Sequence, residues 1–182
     1  MSWIEPMVIK YYEQPKVVWT SFVRFTHWVV AFCVLGNFFN DTGFWHRMIG
    51  YLCLGIVLSR IFYGKWISRH GSSRFYLPTI LSVKLHLLEM RSGRMVAHHG
   101  HNPLGQLAVY LMWLIITLLG LTGWVSRTDA YWGEDWPVNL HQFLSQTLML
   151  LVVLHLIAIF TVSYMSRRHL LKQMIDGKQH EL

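Results

Sequence analysis

Four stretches of the 182-residue sequence are long and apolar enough to cross a membrane as helices. A helix needs roughly 20 mainly apolar residues to span about 30 Å of hydrocarbon. The stretches lie at about residues 19–39, 44–63, 104–125 and 140–165. We therefore predict an all-α membrane protein, a bundle of four transmembrane helices that forms a single domain over residues 1–182.

The composition favours a membrane protein over a nucleic-acid-binding protein. The chain is 53% hydrophobic and 14% charged, whereas soluble domains carry about 25% charged residues. A net charge of +7 is also found in nucleic-acid-binding proteins. On so apolar a chain, however, it is typical of membrane proteins that gather their cations on one side. We expect the lipid bilayer as a partner and no nucleic acid.

The distribution of Lys and Arg predicts the orientation. Of the 16 Lys and Arg residues, three lie in the segment through Arg24 and seven in the segment from Arg60 to His101. Four more lie in the tail from Arg167. Only Arg47 and Arg127 lie on the other side. The positive-inside rule therefore places both termini and the long loop in the cytoplasm. Four acidic residues then face outward: Asp41, Asp129, Glu134 and Asp135.

The long loop contains a segment with a helical pattern. Residues Thr79 to Met95 follow Pro78, and Gly93 could help to end a helix there. We interpret the segment as a basic amphipathic helix at the inner membrane surface. The nearby cluster of His98, His99 and His101 is interpreted as solvated loop histidines rather than as a metal site.

Four of the eleven histidines lie within the predicted spans, where ionisable side chains are costly and mark function. His27 lies in the cytoplasmic half of the first span, and His46 opens the second span on the outer side. His141 and His155 share the fourth span. Their separation of fourteen residues brings them to within about 40° of the same helix face, with a rise of about 21 Å. We expect His155 at the depth of His27, and His141 at the depth of His46.

Two facing histidines on neighbouring helices suit the two axial positions of a low-spin haem iron. Zinc would need a third or fourth ligand. The matched depths therefore predict two haems stacked across the bilayer. The chain lacks a Cys-x-x-Cys-His motif, which excludes covalent c-type attachment. The alternative for each histidine is an ordinary polar group satisfied within a span.

Further residues are candidates for cofactor binding. Because guanidinium groups bind carboxylates bidentately, three arginines near the predicted haem levels could pair with haem propionates. The alternative is that they reach lipid phosphate. These residues are Arg24, Arg47 and Arg60. His101 precedes the third span, where it could approach the edge of the inner haem or a quinone.

A series of short motifs, in chain order, resembles the bacterial cytochrome b561 family, which includes the b-type subunits of membrane-bound nickel–iron hydrogenases. The resemblance covers nearly the whole chain. Each motif is weak alone, but the order is specific. The motifs are Val18-Trp19 with Arg24-Phe25-Thr26-His27-Trp28, His46-x-x-x-Gly50 with Arg60, Gly100-His101-Asn102-Pro103-Leu104-Gly105, Leu121-Thr122-Gly123-Trp124, Leu140-His141 with His155, and the tail from Leu171 to Lys178.

The resemblance implies a four-helix bundle in the bacterial inner membrane that holds two b haems. His27 and His155 would bind the inner haem, and His46 and His141 the outer haem. It also implies electron exchange between a membrane quinone and a second partner. Members of the family differ in that partner, which is a hydrogenase, a periplasmic c-type cytochrome or superoxide itself.

Three classes of function follow from these observations. We favour a diheme electron carrier between quinone and a redox partner near the outer haem. A superoxide oxidase that reduces quinone ranks second, because an anion is steered by positive charge and the outer side has two arginines against four acids. The third class is a non-redox scaffold or transporter that relays protons through histidine, and such a protein would be colourless.

Overall fold

The computed structural model describes residues 18–68, 77–91 and 103–178. These residues form helices and no β-strand. The helices are α1 Ser21–Phe38, α2 Phe44–Phe62, α3 Ile80–Arg91, α4 Pro103–Val125, α5 Trp136–Ser166 and α6 Leu170–Asp176. A π-helical turn, Tyr63–Ile67, continues α2, and a short 3₁₀ turn, Asp129–Tyr131, precedes α5.

Four of these helices have the length and composition to cross a membrane. They are α1 with 18 residues, α2 and its π-helical turn with 24, α4 with 23 and α5 with 31. This confirms the predicted number of spans. Helix α5 begins at Trp136, earlier than the predicted start at residue 140. The apolar run begins later than the helix itself, which has Pro137 in its first turn, where proline is favoured.

The outer surface of the bundle is apolar. Phe25 and Phe32 on one face of α1, and Phe160 of α5, are each more than 60% exposed. Soluble monomers rarely expose contiguous apolar surface of this extent. The exposed aromatic and aliphatic side chains are therefore placed where lipid would solvate them.

The helices pack in sequence around a small core. Helix α1 packs on α2, α2 on α4, and α4 on α5. Val57 of α2 is fully buried at the centre of this packing. The other buried members of the core are Cys33, Cys53, Ile115, Ile116, Leu144 and Leu148. Since Leu148 lies halfway along α5 between His141 and His155, this core occupies the middle depth of the bundle.

The first and last parts of the described chain, at Val18 and Gly177, meet at one end of the bundle, which we call the base. The backbone N–H of Val18 donates to the carbonyl of Gly177 at 2.8 Å. The opposite end, which we call the top, carries the connectors 39–43 and 126–135. Helix α3 lies within the segment predicted to be amphipathic, and it packs on α4.

A close approach between α2 and α4 depends on Gly120. A Cβ atom at this position would lie 2.7 Å from Cδ2 of Leu54. Small residues allow such approaches between membrane helices. Gly36 of α1 differs, because nothing lies within 4 Å of a Cβ there.

We expect Gly120→Val to destabilise the bundle, because the added side chain must displace the packed side chain of Leu54 or push α2 and α4 apart. The cost should be about 1–3 kcal/mol, as for other overpacked interiors. Thermal unfolding in detergent, followed by tryptophan fluorescence, measures it. Gly36→Val is the matched control and should unfold close to the wild-type temperature. Equal effects of the two substitutions would contradict the packing assigned to Gly120.

Candidate functional site

The structure brings His46 and His141 together at the top of the bundle. His46 lies in the first turn of α2 and His141 in the second turn of α5. Their ring centroids are 6.0 Å apart and the ring planes meet at 60°. Since imidazole nitrogens bind metal ions at about 2 Å, one ion shared between two rings needs centroids roughly 6 Å apart. The two rings therefore have the spacing that would hold one metal ion between them.

The connector between α1 and α2 fixes the orientation of His46. Its Nδ1 atom lies 2.5 Å from the carbonyl oxygen of Asn40. A carbonyl can only accept, so Nδ1 carries the proton and donates it. The side-chain amide of Asn37 also donates to the carbonyl of His46 at 2.8 Å. The lone pair on Nε2 of His46 is thus free. Metal-binding histidines commonly have this arrangement, with one ring nitrogen hydrogen-bonded and the other available to the metal.

Thr122 of α4 does the same for His141. The hydroxyl oxygen of Thr122 lies 3.0 Å from Nδ1 of His141. The hydroxyl proton goes to the carbonyl of Leu118 at 2.9 Å, so this oxygen accepts from Nδ1–H. Gly123 allows the imidazole to lie against α4, because a Cβ there would be 3.3 Å from Cε1 of His141. Both top histidines therefore keep Nε2 available for a ligand.

His27 of α1 and His155 of α5 are the second predicted pair, on the base side of the bundle, and their pairing stays a prediction. His155 and Arg60 both interact electrostatically with His27. Nδ1 of His27 and one terminal nitrogen of Arg60 are buried, with no hydrogen-bond partner among the described residues. An unsatisfied buried polar group costs about 1–3 kcal/mol. Two such groups together mark a place where the polar parts of a ligand fit, and haem propionates have the matching charge for Arg60.

The aromatic neighbour of Arg60 extends this cluster toward α4. The guanidinium of Arg60 lies over the ring of Trp113 at 5.9 Å, which leaves its edge free to bind a carboxylate. The ring of Trp113 is in turn 5.6 Å from that of Tyr110. Arg60 is therefore held on α2 at the level of His27.

Gln106 of α4 is a functional candidate that the sequence prediction missed. Its side chain is 4% exposed. The amide nitrogen donates to the hydroxyl of Tyr110 at 2.7 Å, while the amide oxygen is buried without a partner among the described residues. A buried amide near the end of a membrane helix is a polar group in an expensive place. The presence of a polar amide in an apolar span is therefore the sequence feature from which Gln106 could have been predicted as a functional residue.

The other predicted cofactor-binding residues are placed differently. The guanidinium of Arg24 donates to the carbonyl of Ile175 at 2.5 Å and to the hydroxyl of Ser21 at 3.0 Å. Arg47 lies half-buried at the top, beside His46. The propionate roles of these two arginines stay predictions. His101 lies outside the described residues, as do His98 and His99.

The donor set fits haem iron better than an ion held by protein ligands alone. Within residues 18–68, 77–91 and 103–178, no group of three or more His, Cys, Asp or Glu side chains is placed to hold a metal ion. His46 and His141 form a pair of facing rings instead. A haem needs only two protein ligands, because its macrocycle supplies the other four.

One comparison with known proteins identifies a family. The family model described as prokaryotic cytochrome b561 matches residues 18–177. No curated protein and no solved structure gives a significant match to the chain.

We expect Thr122→Val to weaken haem binding at the top pair, because it keeps the side-chain shape but removes the acceptor that orients His141. Loss of such an orienting group typically costs about 10–100-fold in affinity. Haem retention during dilution, followed by absorbance, measures the effect.

Thr147→Val is the matched control. The hydroxyl of Thr147 donates to the carbonyl of Phe143 within α5, so its removal should leave haem retention unchanged. Wild-type retention in Thr122→Val would show that this hydrogen bond does not support haem binding.

Proposed function

The chain belongs to the prokaryotic cytochrome b561 family, and from this premise we propose that it carries electrons across the bacterial inner membrane through two b haems. Family membership makes it a b-type cytochrome of membrane electron transfer, and its four spans make it a multi-pass bacterial membrane protein. The proposal adds the number of haems, their ligands, the orientation and the substrates.

The observation that best supports this proposal is the spacing of His46 and His141, whose ring centroids are 6.0 Å apart. We assign the outer haem to this pair and the inner haem to His27 and His155. The haem iron supplies one-electron chemistry when bound. Two histidines would hold each haem, and the haem would then exchange electrons without binding a substrate at its iron.

The surrounding residues hold the ligands and their protons. Asn40 and Thr122 each accept a hydrogen bond from Nδ1–H of one top histidine, which would leave Nε2 of that histidine free to hold a haem iron. At the inner site, Arg60 would hold a propionate with its unpartnered nitrogen. Arg24 and Arg47 are further propionate candidates, and we keep His101 as a candidate for the inner haem edge or for quinone.

The apolar core supports a path between the two levels. His141 and His155 are separated by a helix rise of about 21 Å, and the buried core around Val57 lies between them. This core excludes water from the middle of the bundle. Electrons would therefore pass from one haem to the other within a dry interior.

Charge supports an orientation with the base in the cytoplasm. Val18 and Gly177 meet at the base, and the tail from Arg167 carries four Lys and Arg residues. The exposed carboxylates Asp129, Glu134 and Asp135 lie at the top. We therefore propose that the inner haem serves the quinone pool and that the outer haem serves a periplasmic c-type cytochrome or a hydrogenase.

Oxidation of superoxide with reduction of quinone is the alternative use of the same haems. The acidic top does not favour it, because superoxide is an anion. Reduction of the haems by superoxide on mixing, followed by quinone reduction, would support this alternative. If superoxide does not reduce the haems under those conditions, the electron-carrier function stands and the superoxide alternative is excluded.

We expect His155→Ala and His141→Ala each to halve the haem content per chain, since each removes one axial ligand of a different haem. The pyridine haemochromogen assay, normalised to protein, measures the content. His169→Ala is the control, because His169 is exposed at the base and should leave the content unchanged. Full haem content in either of the first two variants would contradict the ligand assignment.

A further inference from the structure

The C-terminal segment Arg167–Lys178, which we call the strap, folds back under α1 at the base of the bundle. Helix α5 ends where Arg167 adopts a left-handed conformation with φ 52°. Helix α6 then runs from Leu170 to Asp176 and ends at Gly177, with φ 81°. The hydroxyl of Ser163 donates to the carbonyl of Arg168 and accepts from the N–H of Leu170 at 3.4 Å. These bonds hold the reversal, so the strap leaves α5 in a defined direction.

Hydrogen bonds tie the strap to α1 and to the residues just before it. All of them are accepted by carbonyl groups near the end of the strap. The last carbonyls of a helix have no partner within it, so they are open to donors from elsewhere. The bonds run from the N–H groups of Val18 and Trp19 to Gly177 at 2.8 and 3.4 Å, from the guanidinium of Arg24 to Ile175 at 2.5 Å, and from the indole of Trp28 to Met174 at 3.1 Å.

The seat of the strap accepts only glycine at position 177. A Cβ there would lie 2.8 Å from the carbonyl oxygen of Trp19 and 3.1 Å from Nε of Arg24. The first of these atoms belongs to the backbone and cannot move aside. The left-handed backbone of Gly177 also disfavours any side chain. The fit is therefore specific, and Trp19, Gln173 and Gly177 are all buried by it.

Trp28 connects the strap to the inner histidine pair. Its indole N–H donates to the strap, and its ring stands at 90° to that of His27, with centroids 5.5 Å apart. The Met174 carbonyl thus fixes the indole that borders His27. Nδ1 of His27 has no partner of its own among the described residues, in contrast to the top histidines. Packing against Trp28 is therefore one contact through which this imidazole can be positioned.

We propose that the strap, acting through Trp28, positions His27 and closes the base of the inner haem site against water. The inference rests on the proposed function, in which His27 is an axial ligand. Trp28 is a positioning residue here, since it acts through His27. The orientation of an axial ligand and the access of water to its surroundings both tune a haem site.

Two substitutions test the inference without relying on activity. Trp28→Phe keeps an aromatic ring beside His27 but removes the N–H that bonds to Met174. Gly177→Ala unseats the strap itself. In both variants we expect the ferric EPR signal of the inner haem to shift and broaden, because the imidazole is free to rotate. We also expect its midpoint potential to fall, because water stabilises the charged ferric form. The outer haem should be unchanged.

Gly133→Ala is the matched control. Gly133 lies in the top connector with φ 89°, so alanine meets the same backbone strain, but nothing lies within 4 Å of its Cβ. This variant should leave the inner haem signal at its wild-type position. A shift equal to that of Gly177→Ala would overturn the inference, because strain anywhere in the chain would then suffice.

The test separates the strap from the proposed function. Inner-haem EPR and potential unchanged in Trp28→Phe would overturn the role of the strap, and this variant decides alone if Gly177→Ala does not fold. His27→Ala is measured beside it and should lose the inner haem. Retention of both haems in His27→Ala would overturn the ligand assignment instead.

Discussion

Pairing of imidazoles across neighbouring helices inside the membrane is the constraint on which the rest of the structure depends. An ionisable ring within hydrocarbon is costly unless it is bound or hydrogen-bonded. At the top, the rings of His46 and His141 lie with their centroids 6.0 Å apart, and Nδ1 of each is hydrogen-bonded, which offsets this cost. The helices must hold this spacing while their outer faces remain apolar. The small buried core around Val57 provides the packing between the two levels.

The two ends of the bundle hold their histidines by different means. At the top, short local elements supply acceptors directly, from the Asn40 carbonyl and the Thr122 hydroxyl. At the base, His27 and Arg60 have buried polar atoms with no hydrogen-bond partner among the described residues. The ring of Trp28, which bonds to the strap, packs against His27 there. In our proposal, the inner site is completed by a segment remote in sequence, and changes in that segment should act on the inner site alone.

The sequence predicted the spans and the shared level of His46 and His141 because both depend on local quantities. Hydropathy locates an apolar helix, and the fixed rise of a helix sets the depth of each histidine on it. The hydrogen bonds of His141 to Thr122 and of Arg24 to Ile175 join residues far apart in the chain. No periodicity specifies them, so Arg24 was interpreted through haem and lipid alone. The orphaned oxygen of Gln106 likewise became visible only when α4 was placed against its neighbours.

The most direct test of the account is the ratio of haem b to protein in the purified wild-type chain, combined with EPR of the oxidised form. Two haems per chain, both low-spin with histidine in both axial positions, are the predicted result. One haem per chain, a high-spin signal from an open axial position, or a colourless protein would contradict the account.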